Sequence, residues 1–157
     1  MEKRFFLWAY RSEENYIISK SQKLLGFSEG NDASHNKASF LTKGDIVLIR
    51  DSRSKDLLVF FGSCVVINEP YYEKNNNLIW PEEINSGEVY YKTRVNVDFS
   101  SSPCTKLHDV TWADFLNFGW RNQKGKLMNR KALMVFFSKG NFIDGLRAEE
   151  LFQLLVA

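Results

Sequence analysis

Cysteine is scarce in this sequence: Cys64 and Cys104 are the only two in 157 residues. Two distant thiols imply no disulfide framework and suit a reducing compartment. Cys64 stands in an apolar run and reads as a core residue. Histidine is as rare, with His35 and His108 alone. No Cys or His pair has zinc-ligand spacing, so no metal is expected. Cys104 lies four residues before His108, but nothing nearby supplies a third group to orient a catalytic pair. Glu82 and Glu83 are adjacent, so they point apart in most conformations and do not flank one glycosidic bond. Neither usual form of glycine-rich phosphate loop is found. Together these absences point away from an enzyme and leave no cofactor expected. Charge of one sign is lacking too: 21 Lys and Arg against 19 Asp and Glu leave a net +2. A basic face then exists only if the charges segregate in space. No stretch approaches the ~20 apolar residues of a membrane helix. The apolar run within Met1–Tyr10 is too short for a secretion signal, so a cytoplasmic protein is expected. Internal repeats and low-complexity tracts are absent as well.

Aromatic residues, by contrast, are plentiful, with 13 Phe, 6 Tyr and 4 Trp. They fill cores, and they also stack on bases. The length fits one domain over residues 1–157, with a continuous core. Arg4–Tyr10 (RFFLWAY) reads as a strand. Ser12 begins an N-cap with Glu13 and Glu14 in the first turn, and Tyr16, Ile17, Leu24 and Leu25 continue a helix to near Gly26. Ser28–Ser39 reads as a mobile polar loop. A turn at Lys43–Asp45 feeds a strand at Ile46–Arg50, and Asp51–Lys55 is a hairpin turn. Leu57–Asn68 reads as one long apolar strand, with Gly62 marking a bulge or bend. Glu69–Asn77 is a polar loop and Ile79–Pro81 an irregular region. In Glu88–Phe99, Tyr91, Thr93, Val95 and Val97 alternate with Lys92, Arg94, Asn96 and Asp98, predicting a half-buried strand with one polar face. Asp109–Phe118 reads as a helix capped by Thr111 and Asp114. Arg121–Lys131 is a basic linker, Ala132–Phe137 a strand, Asn141–Gly145 a turn and Leu146–Ala157 an amphipathic helix. This order predicts an α+β fold, a curved, mostly antiparallel sheet or partial barrel flanked by helices. The last helix meets the chain end with no polar tail, which suits either a domain cut from a longer polypeptide or a native end.

Arg4-Phe5-Phe6, then Ser12–Asn15, then a helix ending in Gly26-Phe27-Ser28, resembles the opening of YTH domains. Lys43-Gly44-Asp45 before a strand, Val59–Asn68 ending in Glu69-Pro70-Tyr71, and Lys92–Phe99 look like EVE domains of the PUA-like superfamily. The resemblance covers residues 4 to 156 and rests on the order of its parts. It implies a PUA/EVE/YTH-like fold and a reader of modified bases, since YTH domains hold a methylated adenine in an aromatic cage. Similar domains at the N-terminus of McrB-type restriction subunits read methylated DNA with the base flipped out. Such a role implies an AAA+ motor domain in the same chain and a nuclease subunit as partners. Met1 and the abrupt C-terminus suit that N-terminal position.

On this resemblance Phe27 falls where a YTH cage has its first tryptophan, and Trp80 where it has its second. Asn15 matches a residue on the base edge, and Ser28 follows the cage aromatic. Trp8 is a further candidate for the pocket wall. Each has a plainer reading: Trp80 as a plug, Phe27 as a helix-cap contact, Trp8 as core, Asn15 as a helix-turn residue. Phe stands at 27 where the cage has Trp, and no third cage tryptophan is placed. Expected phosphate contacts are Arg11, Lys20 and Lys23 near the first helix, and Arg121, Lys124, Lys126, Arg130 and Lys131 in the basic linker. DNA is preferred over RNA as ligand, with a PUA-like RNA-binding module as the alternative. A small PUA-like enzyme would instead place Lys92 or Glu83 facing His35 or Cys104. A purely structural module would show no deep pocket and a hydrophobic outer face on the last helix.

Overall fold

The computed structural model of the chain describes residues 4–10, 12–28, 35–54, 57–100, 109–117, 119–121, 124–132, 141–143 and 153. Strand β1 (Phe5–Tyr10) forms where the aromatic run stands. Ser12 then caps helix α1 (Glu13–Gln22), its hydroxyl accepting from the Asn15 N–H at 3.2 Å. The helix stops short of the Gly26 expected from sequence. Lys23 takes a left-handed backbone (φ 55°), its N–H bonds the Ser19 carbonyl, and Leu24–Phe27 become strand β2. Leu24 and Leu25 do keep helical spacing with Tyr16, but strand pairing claims them. Ile17, also read as apolar face, is exposed; Asn15 and Ser19 are buried instead.

A 3₁₀ turn (His35–Phe40) takes up the end of the stretch read as a loop and runs one residue past it. Strand β3 (Ile46–Asp51) follows the expected turn, in which the Asp45 carboxylate accepts from the Thr42 N–H. The long run after it splits at Val59 into β4 (Leu57–Leu58) and β5 (Phe60–Val66). Gly62 pairs Ile49 while Phe60 pairs Arg50, so Phe61 is the extra residue of a bulge. A side chain at Gly62 would collide with the Tyr16 hydroxyl, so glycine lets the Tyr16 ring of α1 lie against β5.

Two short elements form where sequence predicts none: β6 (Tyr71–Tyr72) within the polar loop, and α2 (Pro81–Ser86), which begins at the end of the irregular Ile79–Pro81. Strand β7 (Thr93–Asp98) follows as expected. Then come β8 (Val110–Thr111), the helix α3 (Trp112–Leu116) with its Thr111 cap, and β9 (Asn141–Ile143). Sequence reads a turn at β9, because Asn141 opens it. The strand and final helix read at 132–137 and 146–157 lie outside the described residues, save for Ala132 and Gln153, both helical.

The strands order as β2-β7-β5-β3-β1-β9, with β6 also on β7. Among the described strands only β1 and β3 run parallel. The result is the expected α+β fold on an open, curved, mostly antiparallel sheet. Phe5, Leu7, Ile46 and Leu48 point to one core, with Trp112 and Phe115. Phe6, Trp8, Val47 and Ile49 point to the other, with Leu25, Phe27, Val95 and Val97. Burial on both faces explains why β1 and β3 are apolar without alternation. No helix among the described residues is long and apolar enough to cross a membrane.

Candidate nucleic-acid interface

Asn15 and Ser19 stand four residues apart on α1 and so share one face. Both turn inward, at 5% and 0% exposure. The Ser19 hydroxyl shares a 3.1 Å hydrogen bond with the Tyr10 hydroxyl at the end of β1. It also accepts from Trp80 Nε1 at 3.1 Å. Burial pushes the Tyr10 phenol up to about 12, partly offset by its hydrogen bonds. The Trp80 ring lies against the backbone of Gly26, where an added Cβ would come within 2.5 Å of the ring. Tyr91 closes the ring's edge at 5.0 Å between centroids, and the Arg94 guanidinium lies 5.3 Å from its centre. Burial also raises the Tyr91 phenol.

Glu83 holds this cluster in place. It is three residues past Trp80, the position from which a glutamate reaches back to the start of its own helix. Its carboxylate accepts from the N–H groups of Ile79, Trp80, Tyr90 and Tyr91, at 2.9 to 3.4 Å. Arg94 Nη2 donates to both its oxygens, at 3.2 and 3.1 Å, and also to the Asn77 carbonyl. Burial alone would raise this carboxyl, but the backbone donors outweigh it and leave it below the usual range. The polar face read for β7 is thus corrected at Arg94, which is 1% exposed and paired.

Asn15 and Trp80, far apart in sequence, therefore meet through Ser19 and α2. Asn15 Nδ2 donates to Glu82 at 2.9 Å, while its buried Oδ1 has no partner. Phe27 and Trp8 form a different group, their rings 4.6 Å apart inside the second core. Side chains alternate along a strand, so Phe27 points to the face of β2 opposite the one Gly26 presents to Trp80. The structure does not bring Phe27 and Trp80 face to face. Ser28 is half-buried at the end of β2. Lys20, Lys23, Arg121, Lys124, Lys126, Arg130 and Lys131 are all exposed, and Arg121 donates to the Gly125 carbonyl. Arg11, Cys104 and His108 lie outside the described residues. Among those residues no group of three His, Cys, Asp or Glu comes together to hold a metal. Sequence reading gave Tyr10, Ser19, Gly26, Tyr91 and Arg94 no role in the site and named Glu83 only for the enzyme alternative. The spacing Trp80-Pro81-Glu82-Glu83, proline first and glutamate third, was the usable mark of a capped helix.

No family model matches this chain, and no curated protein matches it. Solved structures do. A Toxoplasma CPSF4 YTH domain in complex with a 7-mer m6A-modified RNA is similar at 16% identity and a TM-score of 0.60, over 97% of this chain and 89% of that one. Human THYN1 in complex with DNA containing 5-methylcytosine is similar at 11% identity and a TM-score of 0.56, over 97% of each chain. A hypothetical protein from Leishmania major is similar at 14% identity and 0.60, over 98% and 94%. At these identities the likeness establishes the fold, which is YTH/EVE-like.

Proposed function

We propose that this chain reads a modified base in nucleic acid. The observation that carries the reading is a buried Asn15 amide oxygen without a donor, one helical turn from the Ser19 hydroxyl that holds the Trp80 indole. The fold adds support, because two proteins that share it were solved with m6A-modified RNA and with DNA containing 5-methylcytosine. A base replaces its lost stacking on an aromatic face, worth about 1–3 kcal/mol. Its edge N–H donates to Asn15 Oδ1. Trp80 is enclosed at 1% exposure, so the base enters as Trp80 and α2 shift and the Nε1–Ser19 bond opens. Trp8 and Phe27 back the site from the core side of β2, and Ser28 lies at its edge. Lys20 and Lys23 meet the phosphates on one side, and Arg121, Lys124, Lys126 and Arg130 on the other.

The finer reading takes methylated DNA, with the base flipped from the duplex, in the specificity domain of a modification-dependent restriction system. An AAA+ motor and a nuclease subunit are then its partners. That choice rests on the resemblance to McrB-type subunits. The second reading, modified RNA, draws on the RNA complex of the similar CPSF4 domain.

Fluorescence polarisation at fixed salt separates them, with matched DNA duplexes and RNAs, unmodified or carrying N6-methyladenine, 5-methylcytosine or 4-methylcytosine. One modified ligand binds best, and Asn15→Ala and Trp80→Phe shrink that preference. A preference for modified RNA selects the second reading. Equal binding of modified and unmodified ligands, or none, overturns the proposal.

A further inference from the structure

Arg50 ends the apolar run of β3 on the face of Ile46 and Leu48, inside the first core. A guanidinium is rarely buried unless paired. This one is 5% exposed, and its Nε is buried without a hydrogen-bond partner among the described residues. Its neighbour Asp51 does not neutralise it. Both Asp51 oxygens are taken by Arg53, through the backbone N–H, Nε and Nη2 at 2.8 to 2.9 Å. Burial lowers the Arg50 pKa, and Asp51 offsets this only in part. The Arg50 Cζ lies over the Trp112 ring, 5.5 Å from its centre. Two further polar atoms are buried without partners: Trp112 Nε1, on that same ring, and Ser52 Oγ, two residues along the chain from Arg50. All three atoms are donors or, for the hydroxyl, able to donate. Several unused donors around one uncompensated positive charge are the chemistry that recognises an anion.

We propose that Arg50, backed by Trp112 and Ser52, binds a phosphate group, and that this phosphate belongs to the nucleic acid read beside Asn15. The second half rests on the function proposed above. Ala9 pairs Arg50 and Tyr10 pairs Asp51, so the two sites lie at the same end of the β1–β3 pair but on opposite faces of the sheet, and one strand serves both only by passing round that end. A planar fork matches a phosphate bidentately, which an ammonium does not. The Asn15 cluster reads the base, and Arg50 fixes the strand that carries it.

The test compares thermal midpoints of the wild type and Arg50→Met in sodium phosphate and in sodium chloride of equal ionic strength. Phosphate raises the wild-type midpoint and leaves Arg50→Met where chloride has it. In chloride the variant is at least as stable as the wild type, because a buried unpaired charge is gone. The same phosphate rise in both proteins, or none in the wild type, overturns the site. Should Arg50→Met not fold, Arg50→Lys keeps the charge and loses the fork; an undiminished rise there overturns it too. Oligonucleotide titrations then address the second half. Arg50→Met weakens modified and unmodified ligands alike and lowers the slope of log K against log salt by about 0.9. Unchanged oligonucleotide affinity beside a lost phosphate effect overturns the nucleic-acid assignment and leaves a free phosphate or small phosphate ester as the ligand. A wild type that responds to phosphate but binds no oligonucleotide refutes the base-reading function and not the phosphate site.

Discussion

Glu83 ties four backbone N–H groups and the Arg94 guanidinium to one carboxylate, and the Trp80 ring sits where that knot puts it. Replacing Glu83 with Gln leaves Arg94 buried with only Glu73, 3.7 Å away, to balance it. A loss of about 3 kcal/mol is expected, the lower end for breaking a buried pair. Urea unfolding of Glu83→Gln at neutral pH measures it. The pH dependence has a definite sign. Glu83 is held below its unfolded value, so its stabilisation is complete above about 4.3 and fades as pH falls through the depressed folded value. The gap between wild type and Glu83→Gln should therefore be constant near neutrality and close in acid; a gap that widens in acid would refute the assignment. Gly26→Ala makes a second case. A methyl group there meets the Trp80 ring, and overpacking of this kind costs about 1–3 kcal/mol. Tryptophan emission should shift with it, because the indole must move off Ser19. Sequence reading named Trp80 and Asn15 through resemblance, and the structure links them through Ser19 and α2. It missed the pairing of Glu83 with Arg94 because charged residues are read as solvated unless a partner is known, and their partner is each other.

Elements were legible where one periodicity dominated. Strands β1, β3 and β7 follow from unbroken or alternating apolar runs, and α1 starts at a hydroxyl cap with two acids behind it. They were illegible where pairing overruled local pattern. Leu24 and Leu25 fit the helix period, yet β7 takes them into β2. Strand β6 is two tyrosines paired to β7 after Pro70, too short for any pattern to show. The helix end invites a direct measurement. Lys23 holds a left-handed backbone that costs a residue with a Cβ roughly 1 kcal/mol. Lys23→Gly should raise the unfolding free energy by about that amount and, on the proposed role of Lys23, weaken nucleic-acid binding. A variant destabilised instead would mean that the lysine side chain contributes to the fold. Amide exchange should rank the strands as well. Those of β3, flanked by β1 and β5 and buried on both faces, should exchange last, and those of β4 early.

At the scale of the molecule, a net charge of +2 gives little general attraction to polyanions. Binding must then come from local groups of cations, and salt sensitivity counts them. Replacing Lys20 and Lys23 with Gln should reduce the salt slope by about 0.9 for each phosphate no longer neutralised, and so should replacing Lys124, Lys126 and Arg130. If neither set changes the slope, the phosphate track runs elsewhere. The single parallel pair among the described strands has another consequence, for the time order of folding. The β3–β5 hairpin joins close neighbours in sequence, but Phe5 finds Ile46 only after the chain between them has looped round, helix α1 included. Closing such a loop costs entropy before any pairing offsets it. The hairpin should thus form early and β1 dock late. Phe6→Ala would mainly speed unfolding, whereas Val47→Ala would slow refolding, so stopped-flow kinetics on the two variants would reveal the sequence in which the sheet is laid down.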